Sequence, residues 1–257
     1  TPLAAKPASP AVEDLVEVRI PDAVAESVPA LAERLRAGAA DILAAFNQIL
    51  EGPSDGLSGF LFDDCRSGPA NQAVVIDSLP DDNLWFLGDL HGDLLALEAA
   101  LFHITQAQTG SFPSLVLLGD LFDDGDHSYE VVLRVLELVV EHPGRIAVLA
   151  GNHDEALDLD LDSGMFRSSV SPSDFTDWLN VHAPGNATVR GLGEVVVKLF
   201  AQAPRAFFFP DGLLAAHGGV PLSDLWDSLR SPADLDRMEC LQDFVWTRAH
   251  PRARRKI

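Results

Sequence analysis

The fold is decided by the segment Gly88-Asp89-Leu90-His91-Gly92, which comes directly after the short apolar run 84–87. An apolar run of this length, ended by glycine and polar residues, is typical of a buried strand that closes in a loop. In open α/β sheets, functional side chains lie on loops at the carboxyl ends of such strands. The segment therefore predicts an α/β fold with a site at the end of this strand.

The same pattern recurs three more times, each time as an apolar run followed by glycine and polar residues. The later segments are Gly119-Asp120-Leu121-Phe122-Asp123 after 115–118, Gly151-Asn152-His153-Asp154 after 146–150, and His217-Gly218-Gly219 after 213–216. We expect these loops to converge, because the site of an open α/β sheet lies along one edge of the strands.

The side chains that these loops deliver are metal ligands. They comprise carboxylates, imidazoles and one amide, with no thiolate, and they are Asp89, His91, Asp120, Asn152 and His217. A mixed oxygen and nitrogen site suits Mn, Fe or Zn. The ligands are too many for one ion with open positions, so we expect two divalent ions about 3.5–4 Å apart, bridged by one carboxylate and one hydroxide. Manganese is the expected metal, with iron or zinc as alternatives.

The ordered series GD-x-HG, GD-x-x-D, GNH-acid and HGG resembles the motif series of the calcineurin-like metallophosphoesterases. The phosphoprotein phosphatase branch, which includes bacterial and lambda-phage Ser/Thr phosphatases, is the nearest, and the resemblance runs from about Leu84 to Arg248. It implies a four-layer αββα sandwich. It also implies that Asp89 and His91 bind the first metal, that Asp120 bridges both, and that Asn152 and His217 bind the second.

The resemblance further implies three catalytic residues. His153 would protonate the leaving oxygen without binding metal, and Asp123 would accept a hydrogen bond from it and orient it. The segment Phe244-Val245-Trp246-Thr247-Arg248 resembles a Trp-x-Arg element whose arginine, here Arg248, would clamp the phosphate. These three roles agree with the chemistry of the side chains. A histidine oriented by a carboxylate can donate a proton, and arginine binds phosphate with two hydrogen bonds.

Asp124 departs from the family pattern. It stands where the family usually has a phosphate-binding arginine, so a positive clamp is replaced by a negative charge. Either Asp124 points away from the centre, or the substrate differs from an ordinary phosphoprotein; Asp123 and Asp124 could also exchange roles. Asp154 replaces the usual glutamate, which keeps the charge and shortens the arm.

The last metal-binding histidine of the family has no clear counterpart. Arg248-Ala249-His250 mimics one form of that motif, but it overlaps the Trp-x-Arg element, which normally lies well upstream. The favoured interpretation is that the true ligand lies beyond Ile257, so that the domain is incomplete at its C-terminus.

The sequence predicts an N-terminal arm, 1–72, and a metallophosphoesterase domain, 73–257. Apolar residues at helical spacing predict one long helix over 28–50, with Pro29 in its first turn, followed by a loop. The segment 155–205 has weak periodicity, and the resemblance implies variable loops or a small cap at this position.

Composition excludes two classes of partner. The formal net charge of −21 over 257 residues argues against nucleic acid, whose phosphates would be repelled. No run of about 18 apolar residues is present, so no membrane span is expected.

Cys65 and Cys240 lie far apart without a metal spacing, which favours unpaired thiols and a cytoplasmic location.

The sequence is compatible with three functions. The first is an enzyme, a metal-dependent phosphatase that hydrolyses phosphomonoesters of proteins or small molecules by attack of a metal-bridging hydroxide. The second is a nucleotide or dinucleoside polyphosphate hydrolase of the same fold, which Asp124 keeps open. The third is an inactive metal-binding scaffold.

Overall fold

The computed structural model describes residues 19–51, 72–79, 83–107, 110, 112–221 and 229–248. In chain order, the elements are α1 (Asp22–Leu50), β1 (Ala73–Val75), β2 (Leu84–Leu87), α2 (Leu94–Gln106), β3 (Ser114–Leu117), α3 (Ser128–Glu141), β4 (Ile146–Val148), α4 (Asn152–Ala156), β5 (Leu157–Leu159), β6 (Phe166–Ser168), α5 (Asp174–His182), α6 (Ala187–Gln202), β7 (Ala206–Phe208), β8 (Leu214–Ala216), a 3₁₀ helix (Pro232–Asp236) and α7 (Met238–Trp246).

Two three-stranded sheets carry the predicted motif strands. In the first sheet, β2, β3 and β4 run parallel, with Leu117 opposite Leu87 on one side and Val148 on the other. In the second, β1 pairs parallel with β7, which forms an antiparallel hairpin with β8. The parallel pairing places the loops after β2, β3 and β4 at one edge of their sheet, as expected from the sequence.

Side chains alternate between two cores along β3, because successive residues of a strand point to opposite faces. Leu115 and Leu117 lie in the main core with the helices, whereas Val116 lies in a second core with Phe207 and Ala215 of the other sheet. The two sheets therefore pack face to face.

Helices cover both outer faces. The main core combines strand residues with apolar faces of α1, α2, α3, α5 and α6, whereas Cys240 and Phe244 of α7 pack against Ala73 and Ala206 of the second sheet. The four layers are helix, sheet, sheet and helix, so the predicted α/β class and αββα sandwich are confirmed.

The long N-terminal helix is longer than predicted. It begins at Asp22 rather than at Val28, because Val24 adds one more turn to the buried stripe. Pro29 consequently lies inside the helix on its exposed face, not in the first turn.

Helix α1 lies against α3 and contributes to the main core. Ion pairs join Arg34 to Glu137 and Arg36 to Glu130. The boundary between 1–72 and 73–257 stays a prediction.

Of the two alternatives for 155–205, variable loops are wrong, and a small cap stays a prediction. The segment contains a short hairpin, β5–β6, and the helices α5 and α6. Gly191 and Gly193 weaken the helical pattern of α6, but Gly193 is required by packing: a Cβ there would lie 2.4 Å from Cζ of Phe166. Among the described residues, no helix is long and apolar enough to cross a membrane.

Candidate active site and metal centre

The loops after β2, β3 and β4 form one hydrogen-bonded unit at the edge of their sheet. The backbone N–H groups of Leu90 and His91 both donate to the carbonyl of Asp120, each at 2.9 Å. The third loop lies equally close: a Cβ on Gly151 would lie 2.2 Å from Oδ1 of Asp120, so only glycine fits there. The motif glycines therefore bring the polar side chains together.

Left-handed backbone is concentrated in these loops. The four non-glycine residues with positive φ in the described chain are His91 (43°), Asp120 (51°), Asp123 (70°) and Asp124 (67°). Each such residue costs on the order of 1–3 kcal/mol, and such strain persists at sites where the surroundings hold it. All four bring side chains towards one centre.

Asp120 lies at the middle of that centre. Its side chain is buried, and its Oδ2 has no hydrogen-bond partner among the residues that the structure describes. The same oxygen lies 3.6 Å from Nε2 of His91 and 3.4 Å from Nε2 of His217. Two atoms that share one metal ion at about 2.0–2.2 Å each lie about 3.0–3.6 Å apart. The buried, unpartnered oxygen therefore fits a bound cation.

The other predicted ligands surround His217. Oδ1 of Asp89 lies 3.5 Å from Nδ1 of His217, and Oδ1 of Asn152 lies 3.0 Å from its Nε2. Oδ2 of Asp89 lies 3.9 Å from Nε2 of His91. The structure thus brings all five residues that the sequence named as ligands into one cluster.

A second grouping of ligand atoms includes His153. One atom each from His91, Asp120 and His153 lie within 4.8 Å of one another, with His91 half-buried and the other two buried. His153 therefore lies directly beside the centre. Its assignment outside the metal shell, like the role of each ligand, stays a prediction.

His153 and Asp123 form a buried pair. Nδ1 of His153 lies 2.7 Å from Oδ2 of Asp123, whose other oxygen accepts a hydrogen bond from the backbone N–H of Phe175 at 2.8 Å. Burial raises the pKa of Asp123, and the hydrogen bond with His153 opposes that shift. Since both carboxylate oxygens are engaged, Asp123 fixes the orientation of the imidazole.

Asp123, and not Asp124, contacts His153, and Asp124 lies near the centre. Its backbone N–H donates to Oδ2 of Asp174 at 3.0 Å, and its exposed carboxylate lies 3.8 Å from Nδ1 of His91. A negative charge therefore stands beside a proposed metal ligand at the mouth of the site.

Asp154 has a role that its motif position did not reveal. Its buried carboxylate accepts hydrogen bonds from the backbone N–H groups of Asp120 at 2.6 Å, Gly151 at 2.9 Å and Leu121 at 3.2 Å. Burial and the nearby charge of Asp120 raise the pKa of Asp154 to about 7, although these hydrogen bonds oppose the shift. Asp154 holds the second and third motif loops together.

Arg248 reaches the centre from the end of α7. Its Nη2 donates to Oδ1 of Asn152 at 2.6 Å. His250 and the segment that follows it lie outside the described residues, so their part in the site stays a prediction.

Comparison with known proteins identifies the series of motifs. A family model described as calcineurin-like phosphoesterase matches residues 83–253. The chain is similar to the serine/threonine-protein phosphatase BSL2 of Arabidopsis thaliana, at 26% identity over 168 residues that cover 62% of this chain and 15% of that protein. The chain thus spans a small part of this relative's length.

Two solved structures are also similar. One is a protein serine/threonine phosphatase from Saccharomyces cerevisiae with similarity to human phosphatase PP5, at 16% identity, a TM-score of 0.49, and coverage of 84% of this chain and 58% of that chain. The other is a candidate diadenosine tetraphosphatase, at 23% identity, a TM-score of 0.35, and coverage of 60% and 57% respectively. At these values, neither similarity bears on the activity.

Proposed function

This chain belongs to the calcineurin-like phosphoesterase family of hydrolases, and from that premise we propose that it is a metal-dependent phosphatase acting on phosphomonoesters. The observation that carries the proposal is the buried Oδ2 of Asp120, which lies within 3.6 Å of Nε2 of both His91 and His217 and lacks a partner among the described residues. An uncompensated buried carboxylate is costly, and bound cations would compensate it.

The donor set suits two divalent ions. Asp89 and His91 would hold the first, Asn152 and His217 the second, and Asp120 both. Such ions, Mn by preference and Fe or Zn as alternatives, would activate water as the nucleophile and neutralise the phosphoryl oxygens. The protein's own part is to hold these oxygen and nitrogen donors in place on strained, hydrogen-bonded loops.

His153 supplies the proton for the leaving oxygen. Because Nδ1 is held at 2.7 Å by Asp123, the other ring nitrogen is the one available to the substrate. The carboxylate keeps the ring from rotating, and a fixed orientation towards the leaving oxygen is what a general acid requires.

Arg248 binds the phosphate. One of its nitrogens is engaged by Asn152 at the edge of the centre, and arginine offers further donors in a planar fork. In a chain with a formal net charge of −21, a positive group at this position has particular value for attracting an anionic substrate.

The position of Asp124 favours phosphomonoesters over polyphosphates. Its carboxylate lies 3.8 Å from Nδ1 of His91, where a second or third phosphate of a polyphosphate would be repelled. A phosphorylated protein or a small phosphoester is therefore the proposed substrate. The net charge argues against a nucleic-acid partner. The buried thiol of Cys240, which has no disulfide partner among the described residues, accords with the proposed cytoplasmic location.

A substrate panel tests this function. Para-nitrophenyl phosphate, phosphoserine and phosphotyrosine peptides, and a dinucleoside tetraphosphate would be compared at equal Mn²⁺, with Asp120→Asn as the inactive control. We expect turnover of the monoesters. A higher kcat/KM on the tetraphosphate would favour the polyphosphate hydrolase, and bound metal without turnover of any compound would favour the scaffold.

A further inference from the structure

We propose that Glu155 is a positioning residue, which holds Trp246 and, through it, keeps Arg248 at the phosphate site. This inference rests on the proposed role of Arg248 as the phosphate clamp. It concerns a residue just outside the motif series, since Glu155 follows Gly151-Asn152-His153-Asp154 on α4.

The carboxylate of Glu155 is itself firmly held. Its Oε1 accepts hydrogen bonds from Nε and Nη2 of Arg205, at 3.0 and 2.8 Å. Arg205 is buried, and its Nη1 donates to the carbonyl of Ala203 at 3.0 Å. The guanidinium therefore fixes one oxygen of Glu155 and leaves the other available to a different donor.

That second oxygen binds the end of α7. Oε2 of Glu155 accepts a hydrogen bond from the indole Nε1 of Trp246 at 2.7 Å. Trp246 is 42% exposed, so burial alone does not fix its ring. A hydrogen bond to a charged acceptor is stronger than a neutral one and sets the direction of the indole.

Arg248 lies two residues beyond this anchor. The C-terminal part of α7 is also attached to the His217 loop, because the backbone N–H of Gly218 donates to the carbonyl of Phe244 at 2.7 Å. The Trp246–Glu155 hydrogen bond adds the link to α4, which carries Asn152, the acceptor for Arg248. With both links, the chain that leads to Arg248 is fixed on both sides of the site.

Three variants test the inference in the full chain with Mn²⁺. Trp246→Phe removes the indole N–H, and Glu155→Gln retains an acceptor for Arg205 but turns an amide N–H₂ towards Trp246. Trp85→Phe is the matched control, because the indole N–H of Trp85 has no partner among the described residues. KM for para-nitrophenyl phosphate, kcat and the inhibition constant of inorganic phosphate would be measured, with the melting temperature as a check on folding.

We expect Trp246→Phe and Glu155→Gln each to raise KM and the phosphate inhibition constant by about three- to tenfold, with a smaller change in kcat. Trp85→Phe should change neither. In an Arg248→Ala background, Trp246→Phe should have no further effect, because the two changes remove the same interaction with phosphate.

The inference is overturned if Trp246→Phe leaves both constants unchanged, or if its effect is equally large in the Arg248→Ala background. The proposed function is tested separately by Arg248→Ala alone. If that single variant leaves phosphate affinity unchanged, the clamp itself is wrong, and the positioning role of Glu155 falls with it.

Discussion

Nδ1 of His153 and Oδ2 of Asp123 lie 2.7 Å apart, in a pair that the surrounding protein almost completely buries. Asp123 is held by Phe175 on its other oxygen, so the imidazole has one orientation. The pair comes from two motif loops separated by 30 positions in the chain. In the proposed mechanism, this pair acts on the substrate and does not bind the metals.

His153→Ala should therefore lower kcat by about 10²–10⁴ while leaving the metal content unchanged, because only acid catalysis is lost. Steady-state kinetics and elemental analysis of the same preparation check both parts. Since His153 also lies within 4.8 Å of ligand atoms of His91 and Asp120, a loss of bound metal would show that it is a ligand instead.

Asp124→Asn should alter selectivity without removing metal. The change removes a negative charge near His91, so kcat/KM for a dinucleoside tetraphosphate should rise relative to para-nitrophenyl phosphate. An increase of about 5- to 30-fold corresponds to one charge interaction of about 1–2 kcal/mol. Asp126→Asn, an exposed carboxylate on the same loop, serves as the control. An unchanged ratio would remove Asp124 from substrate selection.

Glu137 should make the stability of the fold dependent on pH. Its carboxylate binds Arg34 and Arg134, and the hydrogen bond from Arg34 is the main cause that lowers the pKa of Glu137. A lowered folded-state pKa stabilises the protein above the ordinary glutamate value of about 4.3, and this stabilisation is lost as pH falls below it.

Glu137→Gln should lower the free energy of unfolding at pH 7 by about 1–3 kcal/mol, less than for a fully buried pair because Arg34 is half-exposed. Urea titrations between pH 7 and pH 3 check this. The variant and the parent should converge in stability at the acid end. A constant difference across that range would show that the effect is packing rather than charge.

The two glycines of α6 should respond in opposite ways to alanine. Gly191 has no atom within 4 Å of a Cβ position, so Gly191→Ala should stabilise the protein by about 0.5–1 kcal/mol. At Gly193 the same methyl group would overlap the buried ring of Phe166, and a loss of about 1–3 kcal/mol is expected. Thermal denaturation of the two variants side by side checks the contrast, and equal shifts would refute the packing role of Gly193.

The motif loops and the amphipathic helix could be predicted, because residues close together in the sequence determine their structure. Each motif loop combines an apolar strand, a glycine and a ligand within a few positions, so the convergence of Asp89, Asp120, Asn152 and His217 could be expected from the sequence. Helix α1 was predicted because its apolar residues recur at helical spacing, although its first turns were missed.

The rest depends on contacts between distant residues. Gly193 weakens the helical signal of α6, and the reason for a glycine at this position is the ring of Phe166, which leaves no room for a Cβ. Phe166 lies outside α6, so the local pattern does not reveal this contact. The hydrogen bond from Trp246 to Glu155 spans 91 positions, and nothing in either local pattern indicates it. The hydrogen bonds of the Asp154 carboxylate are likewise tertiary contacts, because their donors, the backbone N–H groups of Asp120 and Leu121, belong to another loop.

The central claim is that Asp120 bridges two metal ions. Anomalous diffraction from crystals grown with Mn²⁺, together with elemental analysis of the parent and Asp120→Asn proteins, tests it most directly. We predict two ions about 3.5–4 Å apart on either side of Asp120, and loss of both in the variant. No anomalous peak beside Asp120, or full metal content in Asp120→Asn, would contradict the account.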